Sequence, residues 1–246
     1  MTNFDENKKI LIFFDFNGTI IDKNCTYELA KNLLPNEDYE KILDIDKTDY
    51  IETYNYFYKR AKEIGLTLKD IILNLQKIEL SPGIIDLFTY LKNNKSKYEL
   101  VILSSDINFS VKNILKYHGF LELFDEMILN KEIIQEEKQD SLILVEHNQY
   151  PHECNTCDSS MCKGLEMDKY IKKNKNKGYK NIFFICDGEN DFCPSSKVLK
   201  KGNFTCPRFG YKLWKELFKN NKKNDLICNI FSWKSAKEII SKLEDK

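Results

Sequence analysis

The amino-acid sequence predicts an α/β protein in which a doubly wound parallel sheet carries a small inserted helical cap. Continuous apolar runs at 10–14, 100–103 and 182–185 each end in polar turn residues, the pattern of strands buried on both faces. Helical patterns that end at glycines lie between these runs. Strands that alternate with helices are typical of a parallel, Rossmann-like sheet with right-handed crossovers.

Weaker patterns complete the predicted core. Strand-like runs occur at 127–130 and 203–206, and apolar residues at helical spacing predict four helices, over 83–94, 109–119, 163–178 and 211–221. Residues 131–160 are mostly polar, and we predict there a long loop that carries one short strand in the sequence LILVE.

One segment interrupts the alternation of strands and helices. The sequence from about Tyr27 to Leu80 is helical and aromatic and contains no strand of the core type. We interpret it as a cap, residues 25–80, inserted into a core of residues 1–24 and 81–246; the alternative is extra helices packed on the sheet. Its aromatic residues could contact a planar substrate ring, although core packing is their more usual role: Tyr50, Tyr54, Tyr56, Phe57 and Tyr58.

Composition limits the possible partners. Lys plus Arg and Asp plus Glu both total 38, so no net charge attracts the chain to nucleic acid or to a membrane surface. The polar N-terminus is unlike a targeting leader, and no apolar run reaches the length of a membrane span. Eight cysteines in such a chain favour reduced thiols over disulfides. These features predict a soluble, cytoplasmic protein and do not predict an oligomeric state.

Polar side chains follow the predicted core strands. Asp15 ends the first, Ser105 and Asp106 end the second, and Asp187 ends the third, while Lys163 begins a helix. The carboxyl ends of parallel strands meet at one edge of a sheet, where α/β proteins bind their ligands. One strand-terminal aspartate is usually a helix cap, but several polar strand ends together predict a site.

These residue types favour phosphoryl transfer. A carboxylate can attack phosphorus and form an aspartyl-phosphate, which divides one difficult displacement into two easier ones. Oxygen ligands without histidine favour Mg²⁺, and Asp15, Asp187 and the backbone carbonyl of residue 17 could supply them. Ser105 and Lys163 could then hold the phosphoryl oxygens.

Four motifs in order carry a family resemblance: DFNGTI, LSSDIN, MCKG and CDGENDFCP. Together they resemble the haloacid dehalogenase superfamily of phosphatases. The stretches CNTCDSSMCK and CPRFGY resemble, more narrowly, the branch that contains phosphoethanolamine/phosphocholine phosphatase and pyridoxal-phosphate phosphatase. The resemblance covers about residues 10–215 and implies hydrolysis of a small phosphorylated metabolite.

The resemblance also implies a role for each matching residue. Asp15 would be the nucleophile, and Asp15, the carbonyl of residue 17 and Asp187 would hold Mg²⁺. Asp191 would orient the metal ligands. Phosphoryl contacts would come from Thr19, Ser105 and Lys163, and contacts to the phosphate and leaving group from Asp106 and Asn108. The helical segment would correspond to the cap of the family.

Asn17 is the largest departure from this family pattern. The family has a second aspartate there, the general acid for the leaving alkoxide and then the base for the attacking water. An amide can do neither, and losing such a group typically costs about 10²–10⁴ in rate. Asn17 could mark a deliberately inactivated variant, which we favour narrowly, a natural pseudoenzyme, or a slow enzyme for good leaving groups. A silent phosphometabolite-binding protein and a phosphotransferase are the functional alternatives.

Two smaller features concern the substrate and the cysteines. Members of the branch that prefer phosphocholine carry an acid near the position of Thr26, so Thr26 favours pyridoxal phosphate over phosphoethanolamine. His152, Cys154, Cys157 and Cys162 could bind zinc, but structural zinc sites usually join two separated ligand pairs. We therefore expect reduced thiols that pack the loop before Lys163, and small buried residues at Cys193 and Cys206.

Overall fold

The computed structural model describes residues 8–47, 49–137, 140–145, 152–157 and 159–246, with the backbone alone for 132–137 and 140–145. Residues 1–7 of the predicted core and Glu146 of the predicted short strand lie outside these ranges. The strands, in chain order, are β1 Ile10–Phe14, β2 Tyr98–Ile107, β3 Glu126–Asn130, β4 Glu132–Glu137, β5 Asp140–Val145, β6 Ile182–Cys186, β7 Phe204–Pro207 and β8 Asn229–Ile230.

Ten α-helices accompany these strands in the described part of the chain. They are α1 Cys25–Leu33, α2 Asn36–Ile45, α3 Tyr50–Glu63, α4 Leu68–Leu75, α5 Ile84–Asn93, α6 Asn108–Tyr117, α7 Lys163–Lys173, α8 Phe192–Lys197, α9 Lys212–Phe218 and α10 Lys237–Glu244. None of the helices in the described ranges has both the length and the apolar character needed to cross a membrane.

The main sheet is parallel and has the strand order β3-β2-β1-β6-β7-β8. The central strand β1 is buried along its whole length, as its uninterrupted apolar sequence predicts. One hydrophobic core covers the face that packs against α5, α6 and α10, and a second covers the face that packs against α7 and α9. Helices on both faces confirm the predicted doubly wound α/β class.

Most predicted elements are present, and the sequence analysis did not predict β4, β8, α8 or α10. The polar region after β3 forms an antiparallel hairpin, β4 and β5, where we expected one short strand. Strand β5 lies against helix α3. The two-residue edge strand β8 was not predicted, because Asn229 and Ile230 are too short a run to show a strand pattern.

Four helices, α1 to α4, occupy the segment predicted as the cap. Asn24 caps α1, and Thr67 and Asp70 form a capping box at the start of α4. The aromatic residues of α3 mainly form the core of this segment, since Tyr54, Phe57 and Tyr58 are buried. The division into a core and a functional cap stays a prediction.

Candidate active site

Four chain segments meet at the carboxyl edge of the sheet, between β1 and its neighbours β2 and β6. Asp15 follows β1 directly and Asp187 follows β6 directly, and Phe14 pairs with Ile102 on one side and Ile185 on the other. Connections leave β1 and β6 in opposite directions along the sheet, toward β2 and toward β7. Doubly wound folds bind their ligands at such a switch point.

Lys163 is the charged centre of this edge. It begins α7 and is almost fully buried, and its Nζ lies 2.8 Å from Asp15 Oδ1 and 2.7 Å from Asp191 Oδ1. Burial by itself disfavours the ammonium, but the two carboxylates raise the pKa of Lys163 above its ordinary value. The group is therefore a permanent cation beside Asp15.

Three carboxylates surround this lysine. Oxygens of Asp15, Asp187 and Asp191 all lie within 4.8 Å of one another. No second Lys or Arg in the described residues pairs with them. Burial and the neighbouring carboxylates raise the pKa of Asp187 well above its usual value, and burial raises that of Asp191 to about 6. This excess of negative oxygen ligands fits a hard divalent cation such as Mg²⁺.

The backbone around Asp187 supports the same interpretation. Gly18 has a φ of 71°, and a Cβ on it would meet Asp187 Oδ2 at 2.3 Å. Only a residue without a side chain lets the β1 turn approach this carboxylate so closely. Asp191 Oδ2 accepts hydrogen bonds from the backbone N–H groups of Asp187 and Gly188, at 3.1 and 2.8 Å. Asp191 thus fixes the turn that carries Asp187.

Asn17 joins the core to the helical segment. Its amide nitrogen donates to Asp106 Oδ2 at 3.0 Å and to the Tyr50 hydroxyl at 3.3 Å, and its amide oxygen accepts from the Cys25 backbone N–H at 2.9 Å. Asp106 is fully buried and also accepts from Tyr54 Oη at 2.8 Å. Burial raises the pKa of Asp106. An amide is a better neighbour for this buried carboxylate than an aspartate would be, because it can donate.

A cavity of about 500 Å³ opens over these residues, a volume that suits a small metabolite. The core contributes the predicted residues Asp15, Asn17, Ser105, Lys163 and Asp187 to its wall. The N-cap of α1, the helical segment and the loop before Lys163 contribute residues that the sequence did not single out: Asn24, Tyr27, Asp46, Asn155 and Thr156.

Some predicted residues do not lie on this wall. Thr19 is buried and donates to Asp187 Oδ1 at 3.2 Å, so it supports the acidic cluster from below. Asp106 faces Asn17 and the hydroxyl of Tyr54, and Asn108, the first residue of α6, is also outside the lining. Thr26 is buried and does not line the cavity.

Arg208 is a structural residue of the site to which the sequence analysis gave no role. Its guanidinium donates to the Gly18 carbonyl at 2.7 Å and to Ser81 Oγ at 3.0 Å, and it also pairs with Asp22. Its guanidinium carbon lies 4.3 Å from the ring centre of Tyr211. Arg208 thereby ties the end of β7 to the turn after β1. The motif CPRFGY contains this arginine and could have indicated its role.

The cysteines differ from the prediction. Sulfurs of Cys154, Cys157, Cys162 and Cys193 all lie within 4.8 Å of one another. The fourth member is Cys193 and not His152, whose Nδ1 accepts from the Cys154 backbone N–H. Cys193 is buried as expected, and it joins the group because α8 starts beside the loop that precedes Lys163. Cys206 is buried as expected.

Comparison with known proteins agrees with this geometry. A protein-family model described as "Putative Phosphatase" matches residues 10–246. The chain belongs to this family. The human pyridoxal phosphate phosphatase PHOSPHO2 is 28% identical, over 96% of this chain and 98% of that protein. The chicken phosphoethanolamine/phosphocholine phosphatase is 26% identical, over 96% of this chain and 88% of that protein.

A solved structure of phosphoserine phosphatase, described as a phospho-aspartyl intermediate analogue, has the same fold. It covers 96% of this chain and 99% of its own, with a TM-score of 0.62 and 18% identity. Together with the family match and the named relatives, this shared fold confirms the resemblance to haloacid dehalogenase-type phosphatases and the assignment to the phosphoric monoester hydrolases.

Proposed function

We propose that this chain hydrolyses a small phosphomonoester by transient transfer of the phosphoryl group to Asp15. The observation that carries the proposal is the Asp15 carboxylate, which lines the cavity and is held 2.8 Å from the Lys163 ammonium. Ser105 and the turn of Asp187 and Gly188 surround the space above it. The relatives are named phosphatases, which favours hydrolysis over phosphotransfer and silent binding.

The reaction has two displacements. First, an oxygen of Asp15 forms a bond to phosphorus while the bond to the ester oxygen breaks, and the leaving alkoxide takes up a proton. Water then attacks phosphorus and loses a proton while the bond between phosphorus and the Asp15 oxygen breaks, which gives inorganic phosphate and the free Asp15 carboxylate. Lys163 offsets the charge of Asp15 and of the approaching phosphoryl oxygens throughout.

Proton transfer is the step that slows turnover in this protein. The leaving group must gain a proton and the attacking water must lose one, and the side chain at position 17 is an amide that can do neither. We therefore propose slow turnover with alkoxide leaving groups and faster turnover with leaving groups that depart as stable anions. The suggestion that Asn17 was introduced deliberately stays a prediction.

Asp15, Asp187 and the backbone carbonyl of residue 17 would hold Mg²⁺, with Asp191 orienting the turn. When bound, Mg²⁺ would supply charge neutralisation for the phosphoryl oxygens. Support comes from the surplus of negative charge in the cluster and from the space that Gly18 leaves beside Asp187.

We propose pyridoxal phosphate ahead of phosphoethanolamine as the substrate, with the segment 25–80 acting as the cap that selects it. Thr26 is buried away from the cavity and does not support this order. Two other observations support it: the similarity to a pyridoxal phosphate phosphatase, and the rings of Tyr27 and Tyr50 on the cavity wall, which can contact a planar substrate.

The test of the function is p-nitrophenyl phosphate turnover with and without Mg²⁺, because p-nitrophenolate leaves with little protonation. We expect slow, Mg²⁺-dependent release that Asp15→Asn abolishes. Absence of turnover, combined with retained phosphate binding, would show that the chain is a catalytically inactive phosphometabolite-binding protein. Transfer of phosphate to an added alcohol in preference to water would establish a phosphotransferase.

Removal of Asp187 tests the metal assignment. We expect Asp187→Asn to weaken Mg²⁺ binding by at least about tenfold in isothermal titration, because it removes a charged ligand from the cluster. Glu189→Gln is the matched control, since Glu189 also lines the cavity but lies outside the acidic cluster. Equal Mg²⁺ affinity for the two variants would exclude Asp187 from the ligands.

A further inference from the structure

Four cysteines form a compact group next to the carboxyl edge of the sheet, and this group is separate from the cluster of aspartates. Their sulfurs lie within 4.8 Å of one another, and Cys193 Sγ is 3.5 Å from Cys154 Sγ and 3.8 Å from Cys162 Sγ. All four are free thiols. Zinc bound by four cysteines has Zn–S distances of about 2.3 Å, which places the sulfurs about 3.8 Å apart at the corners of a tetrahedron. We propose that these cysteines bind one structural zinc ion.

The arrangement in the chain supports a metal site. Cys154, Cys157 and Cys162 come from one loop, and Cys193 comes from α8, which begins 30 residues further along. Structural zinc sites join separated parts of a chain in this way, and the sequence did not show which distant residue completes the set. Thiols that served only as small apolar side chains would have no reason to converge from two segments until all four sulfurs lie within 4.8 Å of one another.

Two neighbouring residues, Gly164 and Lys197, fit a metal-bound group of thiolates. Gly164 has no side chain, and a Cβ there would meet Cys193 Sγ at 2.6 Å, so the glycine gives this sulfur its space. Lys197 Nζ lies 3.7 Å from Cys154 Sγ. Four thiolates around a divalent ion carry a net charge of −2, and a lysine at this distance offsets part of it.

The ligand chemistry selects the ion. Four sulfurs within 4.8 Å of one another favour zinc or a single iron, whereas Mg²⁺ requires oxygen ligands such as the aspartates. Zinc has no redox chemistry and needs no preferred electronic geometry, so it suits a purely structural site. Binding would displace the thiol protons into solvent and leave four Zn–S bonds, with no oxidation or reduction.

The zinc ion would stabilise the carboxyl edge of the sheet, where Lys163 and Asp191 lie. Cys162 directly precedes Lys163, and Cys193 follows Asp191 by two residues. The ion would therefore clamp the two segments whose side chains meet in the 2.7 Å contact between Lys163 and Asp191. Cys157 also lines the cavity and places its sulfur 3.7 Å from the Asn190 carbonyl, so the same ion would hold this part of the wall.

Elemental analysis of the purified full chain tests the proposal directly. We expect about one zinc per chain after dialysis without chelator, and one equivalent released when a mercurial reagent blocks the thiols. Cys193→Ser and Cys154→Ser should each lose most of this zinc. Cys228→Ser is the matched control and should retain it, because Cys228 is buried elsewhere and contacts the Ser195 carbonyl.

A second measurement covers the case in which the variants do not fold. Cobalt exchanged into the unsubstituted protein should give the strong visible and near-ultraviolet absorption of a tetrahedral tetrathiolate. Absence of zinc, iron in its place, a disulfide detected as a loss of two hydrogens in the intact mass, or equal zinc loss in Cys228→Ser would each overturn the proposal. None of these measurements depends on phosphatase activity.

Discussion

Asn17→Asp is expected to raise the rate of hydrolysis of alkyl phosphomonoesters by about 10²–10⁴, the usual contribution of a positioned acid and base. The nucleophile and its partners remain unchanged, because Asp15 is paired with Lys163 and not with Asn17. A carboxyl group at position 17 would supply the proton that the leaving alkoxide needs and then accept one from water. The gain should be smaller with p-nitrophenyl phosphate, whose leaving group needs little protonation.

Asp106 determines how an aspartate at position 17 would hold its proton. The amide nitrogen of Asn17 is 3.0 Å from Oδ2 of the buried Asp106, so Asn17→Asp would bring two carboxyl groups together at a partly buried position. Two carboxylates at this distance cannot both ionise easily, and the pair retains one proton to a higher pH than either group alone. The pair would therefore still hold a proton for the leaving group near neutral pH. Burial already raises the pKa of Asp106.

Asn24→Asp is the matched control. It adds the same charge to the cavity wall, and its helix cap survives, because an aspartate can accept from the Tyr27 backbone N–H as Asn24 does. Equal gains in the two variants, or no gain in Asn17→Asp while the protein stays folded and metal-bound, would remove position 17 from proton transfer.

The variant also allows the substrate to be determined. On Asn17→Asp, a panel of phosphometabolites should show pyridoxal phosphate ahead of phosphoethanolamine and phosphocholine, and the reverse order would contradict our substrate proposal. Intact mass must be checked first, because Asn17-Gly18 is a sequence prone to deamidation, and traces of aspartate would imitate intrinsic activity.

The sequence predicted the parts of the site that depend on local pattern. Asp15 and Asp187 could be placed together because each ends a buried apolar run, and parallel strands bring their carboxyl ends to one edge. The same reasoning could not show that Thr19 points to Asp187 and not to the cavity, since a turn residue has no periodic pattern.

Contacts between segments that are far apart in the chain could not be predicted from the sequence. Cys193 lies 31 residues after Cys162 and completes the thiol group from the first turn of α8, and a single sequence contains no signal for that pairing. The Tyr27 and Asp46 contributions to the wall depend on how the helical segment is docked over the sheet. Helical spacing gives the buried face of a helix but not its position in space.

Lys163→Met is expected to lower the free energy of unfolding by about 3–5 kcal/mol, the usual cost of removing one partner from a buried ion pair. The loss follows from burial: Lys163 is 1% exposed and contacts two carboxylates that have almost no access to solvent. Methionine nearly matches the length of the lysine side chain but leaves both carboxylates without their cation.

Lys169→Met on the same helix is the matched control, and urea denaturation at pH 8 is the measurement. Lys169 is paired with Glu166 at 2.8 Å but is half exposed, so its loss should cost at most about 1 kcal/mol.

The same comparison of unfolding free energies at lower pH gives a second test. Burial already raises the pKa of Asp191 to about 6, and removing Lys163 would raise it further. A carboxyl group with a raised pKa binds protons more tightly in the folded chain, so stability falls as pH rises through that pKa. The gap between the Lys163→Met variant and the unsubstituted protein should therefore narrow from pH 8 to pH 5. A gap that stays constant, or a Lys163→Met cost no larger than that of Lys169→Met, would show that this lysine does not neutralise the buried carboxylates.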